Sequence, residues 1–138
     1  MKTMLYYVLL FALASCGGEV SQGPEVTNPL SGSEAEARFG DTYRAIQSCT
    51  GMKGQNIESL KIEITEDQID CPYYGGKCAG LFSSPNKIFV DEQGNDPPGK
   101  IFAHETIHYL LWLIKDDADT DHQGPLWDQC DPLRLPAK

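Results

Sequence analysis

The chain has 138 residues and carries 11 Lys and Arg against 20 Asp and Glu, a net charge of −9. Neutralising phosphates takes a basic face, so nucleic acid is excluded as an expected partner, and an acidic surface does not dock unaided on anionic lipid. The length, with no internal repeat, suits one small domain, expected to act as a monomer.

Residues 1–15 (M-K-T-M-L-Y-Y-V-L-L-F-A-L-A-S) place Lys2 ahead of an apolar run too short to span a bilayer, the pattern of a secretory signal peptide. The run ends in Leu13-Ala14-Ser15-Cys16, which resembles the lipobox of bacterial lipoproteins. That resemblance implies cleavage before Cys16 and lipidation of its thiol, so that acyl chains attach the protein to a membrane. Gly17 after the Cys, with no Asp there, is similar to an outer-membrane sorting signal, and the expected location is periplasm-facing or on the outer-membrane surface. Removal of Lys2 alone among charged residues takes 11 basic residues to 10 against 20 acidic ones, a net charge of −10. Residues 16–31, rich in Gly, Pro and Ser without an apolar period, read as a flexible tether. Residues 32–138 are then the folded domain.

Ser33-x-x-Glu36 has the form of a capping box, and Ala35, Phe39, Tyr43 and Ile46 recur at helical spacing until Gly51 and Gly54, so a helix is predicted over 34–49. Leu60, Ile62 and Ile64 alternate with Lys61, Glu63 and Thr65, the period of a half-buried strand. Residues 79–83 and 87–91 (K-I-F-V-D) are further β-prone runs around a Ser84-Pro85-Asn86 turn. A second helix is predicted from about Pro98 to Lys115, with Asp96 available as cap and proline in the first turn. It is followed by an irregular tail. The order implies an α+β fold with a small, mostly antiparallel sheet on two helices.

The second helix is apolar on nearly every face and therefore buried, yet it contains His104-Glu105-Thr106-Ile107-His108. Residues four apart stack one turn above each other, so both imidazoles can close on one metal ion with Glu105 beside them. A bound cation also offsets the cost of burying the Glu carboxylate. A catalytic zinc takes three protein ligands and leaves a fourth position open. The remaining histidine, His122, follows the helix in an acidic loop, where Gly124-Pro125 can turn the chain back; Asp117, Asp119 or Asp121 are the substitutes. The same aspartates match the start of an EF-hand calcium loop, but His122 stands where that loop needs Gly and Asp128 where it needs Glu.

Besides Cys16, the chain has Cys49, Cys71, Cys78 and Cys130. An even count in a small exported domain reads as two disulfides, with a four-Cys zinc site as competitor. Of three possible pairings, Cys71–Cys78 is favoured because Pro72, Gly75 and Gly76 let that segment fold back, which leaves Cys49–Cys130.

Taken together, the signal, the K-I-F-V-D strand, the His-Glu-x-x-His helix and a downstream ligand resemble the zincin metallopeptidases. The resemblance implies a zincin-like fold, zinc held by His104, His108 and His122, Glu105 as general base, and a peptide or protein substrate. It further implies that residues 87–91 line the cleft and pair with extended substrate; Tyr73, Tyr74 and Tyr109 are conceivable oxyanion donors. The competing expectation is a zincin-like lipoprotein without catalysis, which binds a partner or holds a structural metal.

Labelled fatty acid is expected to enter the wild-type protein and not Cys16→Ala; equal labelling of both would remove the lipoprotein reading.

Overall fold

A computed structural model describes residues 27–72, 75–119 and 121–135. Residues 1–15, read as a signal peptide, Cys16 and most of the stretch read as a tether lie outside them.

The described chain begins with strand β1 (Thr27–Pro29), inside the stretch read as tether, and it pairs antiparallel with β2 (Lys61–Thr65). Helix α1 runs over Gly32–Thr50, and its capping box is Ser31 with Glu34 rather than Ser33 with Glu36. The Glu34 carboxylate accepts the Ser31 backbone N–H at 2.8 Å, and the Ser31 hydroxyl accepts the Glu34 N–H at 3.3 Å. Both boxes satisfy the same sequence rule; the earlier one wins because Gly32 is already helical. Gly51, in the left-handed region at φ 69°, ends the helix.

After β2 comes a hairpin of β3 (Ile69–Asp70) and β4 (Lys77–Cys78), then β5 (Gly80–Ser83) and β6 (Lys87–Asp91). The main sheet has the order β1-β2-β6-β5, with β2 and β6 parallel and the outer pairs antiparallel. It is a small mixed sheet, and K-I-F-V-D is one of its two interior strands. The expectation that residues 87–91 pair with substrate is therefore corrected: β2 and β5 occupy both of its hydrogen-bonding edges. That position also explains its composition, since Ile88 and Val90 are fully buried and only the ends are polar.

Helix α2 (Pro98–Lys115) occupies the predicted span, but Asp96 does not cap it; Pro97 holds the cap position without a side-chain hydrogen bond. The helix lies between α1 on one side and β5 and β6 on the other, which is why its sequence is apolar nearly all round. Phe102 stacks on Phe39 of α1 with ring centroids 4.4 Å apart, while Tyr109 meets Phe82 of β5 edge-on at 5.9 Å. Burying such a side chain contributes roughly 1.5–3 kcal/mol.

The tail is not irregular throughout. Pro125–Cys130 forms helix α3, with Pro125 in its first turn and Trp127 and Cys130 facing the core. Six residues are too few to be helical on their own. Cys130 is bonded to Cys49 at the end of α1, and Cys71 is bonded to Cys78 across the β3–β4 hairpin, the pairing expected from the sequence. The four cysteines are thereby unavailable as a metal site.

The Cys49–Cys130 bond spans 81 residues, and its removal in a Cys49→Ala/Cys130→Ala variant is expected to cost about 4–5 kcal/mol on the chain-entropy account. Urea denaturation of the two proteins measures it; coincident midpoints would show that α3 is held by packing alone.

Candidate metal centre

His104 and His108 project from one face of α2 with ring centroids 5.0 Å apart, as four-residue spacing requires. The loop after α2 then turns sharply. Asp116, Asp119 and His122 all take positive φ, at 56°, 49° and 54°, and Gly124 follows at 100°. Asp tolerates that region because its short side chain bonds locally, as the Asp119 carboxylate does with the Gln123 N–H at 3.3 Å. The turn brings His122 back over α2, where its Nε2 lies 3.0 Å from Nε2 of both His104 and His108.

The outer nitrogens define the tautomers. His108 Nδ1–H donates to the Ala118 carbonyl at 2.7 Å, and a carbonyl can only accept. His104 Nδ1–H donates to Asp131 Oδ2 at 2.9 Å. Burial, with help from the charge on neighbouring His104, pushes His108 down to about 4, so this ring is neutral with its Nε2 lone pair facing inward. Burial likewise pulls His122 below its ordinary value. Burial acts against charge on His104 as well, but the hydrogen bond to Asp131 and the charges of Glu105 and Asp131 outweigh it and shift the ring upward. Asp131 shows the reciprocal effect: burial alone would raise it, and the bond from His104 holds it below the usual carboxylate range.

Three inward nitrogens this close have too few protons to satisfy one another, whereas a cation satisfies all of their lone pairs. The donor set fits a metal ion: three imidazoles with ligand atoms within 4.8 Å, and no further His, Cys, Asp or Glu in that group among the described residues. The hydrogen bonds from Nδ1 to a carboxylate and to a carbonyl are the outer partners that orient ligating histidines.

Two residues that the sequence reading missed complete the centre. Asp131 is fully buried behind His104, and Trp127 is fully buried beneath all three rings, at centroid distances of 5.2, 4.7 and 4.6 Å. Trp127 Nε1–H donates to Asp119 Oδ2 at 2.6 Å, and Asp119 Oδ1 accepts the Gln123 N–H at 3.3 Å. Asp119 thus organises the loop that carries His122, and the geometry places His122, not an aspartate, in the group. Pro125 ahead of apolar residues at 127 and 130 was the available signal for α3.

Glu105 is buried against β5. A Cβ on Gly80 would come within 2.8 Å of Glu105 Oε1 and 2.5 Å of Ile101, so only glycine lets the strand approach so closely. Burial raises the carboxyl to about 7; the charge on His104 and a backbone hydrogen bond from Phe82 work against that rise. A cleft of about 500 Å³ opens here, bounded by β5 and by the His face of α2. Tyr109 is not part of it: its hydroxyl accepts the Gln55 N–H at 3.2 Å inside the core. Tyr73 and Tyr74 lie outside the described residues. Comparison with protein-family models, curated proteins and solved structures finds no match to this chain.

One divalent metal ion per chain is expected in the purified protein, lost in His104→Ala and His108→Ala and strongly weakened in His122→Ala. Asp131→Ala should keep the stoichiometry but weaken affinity by about 10–100-fold, measured by competition with a chromophoric chelator. Unchanged affinity in Asp131→Ala would reduce that carboxylate to a packing role.

Proposed function

We propose that the protein is a zinc-dependent peptide-bond hydrolase, similar to the zincin metallopeptidases and held at the cell envelope by lipid on Cys16. The observation that carries this reading is the convergence of three histidine nitrogens, with no fourth protein ligand in the group among the described residues, beside a buried glutamate in the wall of a cleft. A structural zinc is closed by four protein ligands, while a catalytic one keeps a position open. Three imidazoles suit zinc among the borderline metals, and the disulfides accord with an oxidising compartment.

When bound, zinc supplies a Lewis acid that acidifies water and polarises a carbonyl. The chain's own residues do the rest. Glu105, adjacent to His104 on α2, is the proton acceptor during attack on the peptide carbonyl and passes the proton to the leaving amine. The close approach of Gly80 fixes where that carboxylate can sit. Asp131 and Ala118 hold the two helix imidazoles with Nε2 inward, and Trp127 keeps water from reaching them from below. The edge strand β5, rather than interior β6, is the strand that can meet an extended substrate.

Glu105→Gln tests this reading, because it preserves shape and leaves all three imidazoles in place. Zinc content should match wild type while hydrolysis of a peptide library falls by roughly 10²–10⁴-fold. If wild type hydrolyses nothing, or Glu105→Gln is equally active, the protein is instead a metal-holding lipoprotein that binds a partner.

A further inference from the structure

The cleft beside the three histidines is lined unevenly. One side is aromatic: Trp112 lies one turn after His108 on the same face of α2, and its ring meets Phe82 at 6.0 Å and a 50° tilt. Tyr109 supports Phe82 from behind at 5.9 Å, and its hydroxyl is held at Gln55, so the wall is backed by the core. Leu81 and the partly exposed Leu133 also line the cleft. Apart from the histidines and Glu105, its charged groups are Asp116 and Asp117.

The strand beside it offers little backbone. Ala79 pairs with Asp91, whose N–H donates to the Ala79 carbonyl at 2.7 Å, so in the antiparallel alternation Gly80 and Phe82 turn their backbone groups away from β6. Two outward-facing positions are too few to discriminate among extended chains by strand pairing alone.

We propose that this cleft selects peptides by one bulky apolar side chain, aromatic or leucine-like, packed against Trp112 and Phe82, and rejects an acidic side chain at that position. This specificity rests on the peptidase reading for its biological meaning, but it is a binding property of the chain itself. A volume of about 500 Å³ is ample for such a side chain with the adjoining backbone, and an apolar lining with few convergent polar groups is the usual composition of a ligand site. Asp116 and Asp117, on a chain of net charge −9, oppose a further carboxylate. Trp112 is the specificity-determining residue, and Leu133 is its counterpart.

The experiment uses full-length, zinc-loaded Glu105→Gln, and titrates by calorimetry a set of short peptides that differ at one position: Phe, Leu, Ala or Asp. Phe and Leu peptides are expected to bind about tenfold or more tightly than the Ala peptide, with Asp the weakest. Adding Trp112→Ala should compress the Phe-to-Ala ratio to near unity with zinc retained; Leu133→Ala, at a partly exposed position that the core does not need, should compress it in part. Equal affinities across the set, or a Phe preference that survives in both variants, would overturn the proposal. Wild-type turnover of the same peptides separates the two readings. Selective binding without hydrolysis leaves the pocket and removes the peptidase, while hydrolysis without selectivity does the reverse.

Discussion

Burying α2 on both of its broad faces leaves Glu105 and His108 nearly covered and His104 only partly exposed, and much of the chain after the helix answers that constraint. An uncompensated buried polar group costs on the order of 1–3 kcal/mol, more if charged. The loop at 116–124 supplies the carbonyl for His108 and carries His122; the residue after α3 supplies the carboxylate for His104; β5 packs Gly80 against Glu105. No buried side-chain nitrogen or oxygen is left without a partner among the described residues. The interior polar network is therefore complete on its outer side, and its inner side consists of ring nitrogens turned toward a common point.

The short last helix illustrates how little regular structure such a site needs. Pro125–Cys130 makes under two turns, yet it delivers the indole beneath the three rings and leads directly into Asp131. Its position is fixed by the disulfide to α1, the Trp127–Asp119 hydrogen bond and burial of the indole. None of these is a property of the helix itself.

Much of this was legible in the sequence, and the reasons for the misses are physical. The spans of α1, α2, β2, β5 and β6 followed from hydrophobic period and turn residues, and the His-Glu-x-x-His spacing identified the face that carries the site. The disulfide pairing followed from a Gly-rich turn between Cys71 and Cys78. Parallel pairing of β2 with β6 was not legible, because period-2 alternation reports which face is buried and not which neighbour a strand takes. Thr27–Pro29 lacks any apolar alternation, and is a strand only because β2 offers it an edge. Asp131 looked like one more carboxylate on an acidic chain. Its role depends on a separation of 27 residues from His104 that only the fold closes.

The left-handed backbone at His122 sets a limit of another kind. With φ at 54°, that position carries a penalty for every residue with a side chain, and a heavy one for residues branched at Cβ. Glycine would relax the turn but delete the imidazole, and asparagine would keep the turn without the ring. Among the twenty residue types, therefore, the one that completes the triad is not the one the backbone would choose. A looser, more stable loop and a third inward-facing nitrogen make opposite demands on this one position, whereas the helix that carries His104 and His108 makes no such demand on theirs.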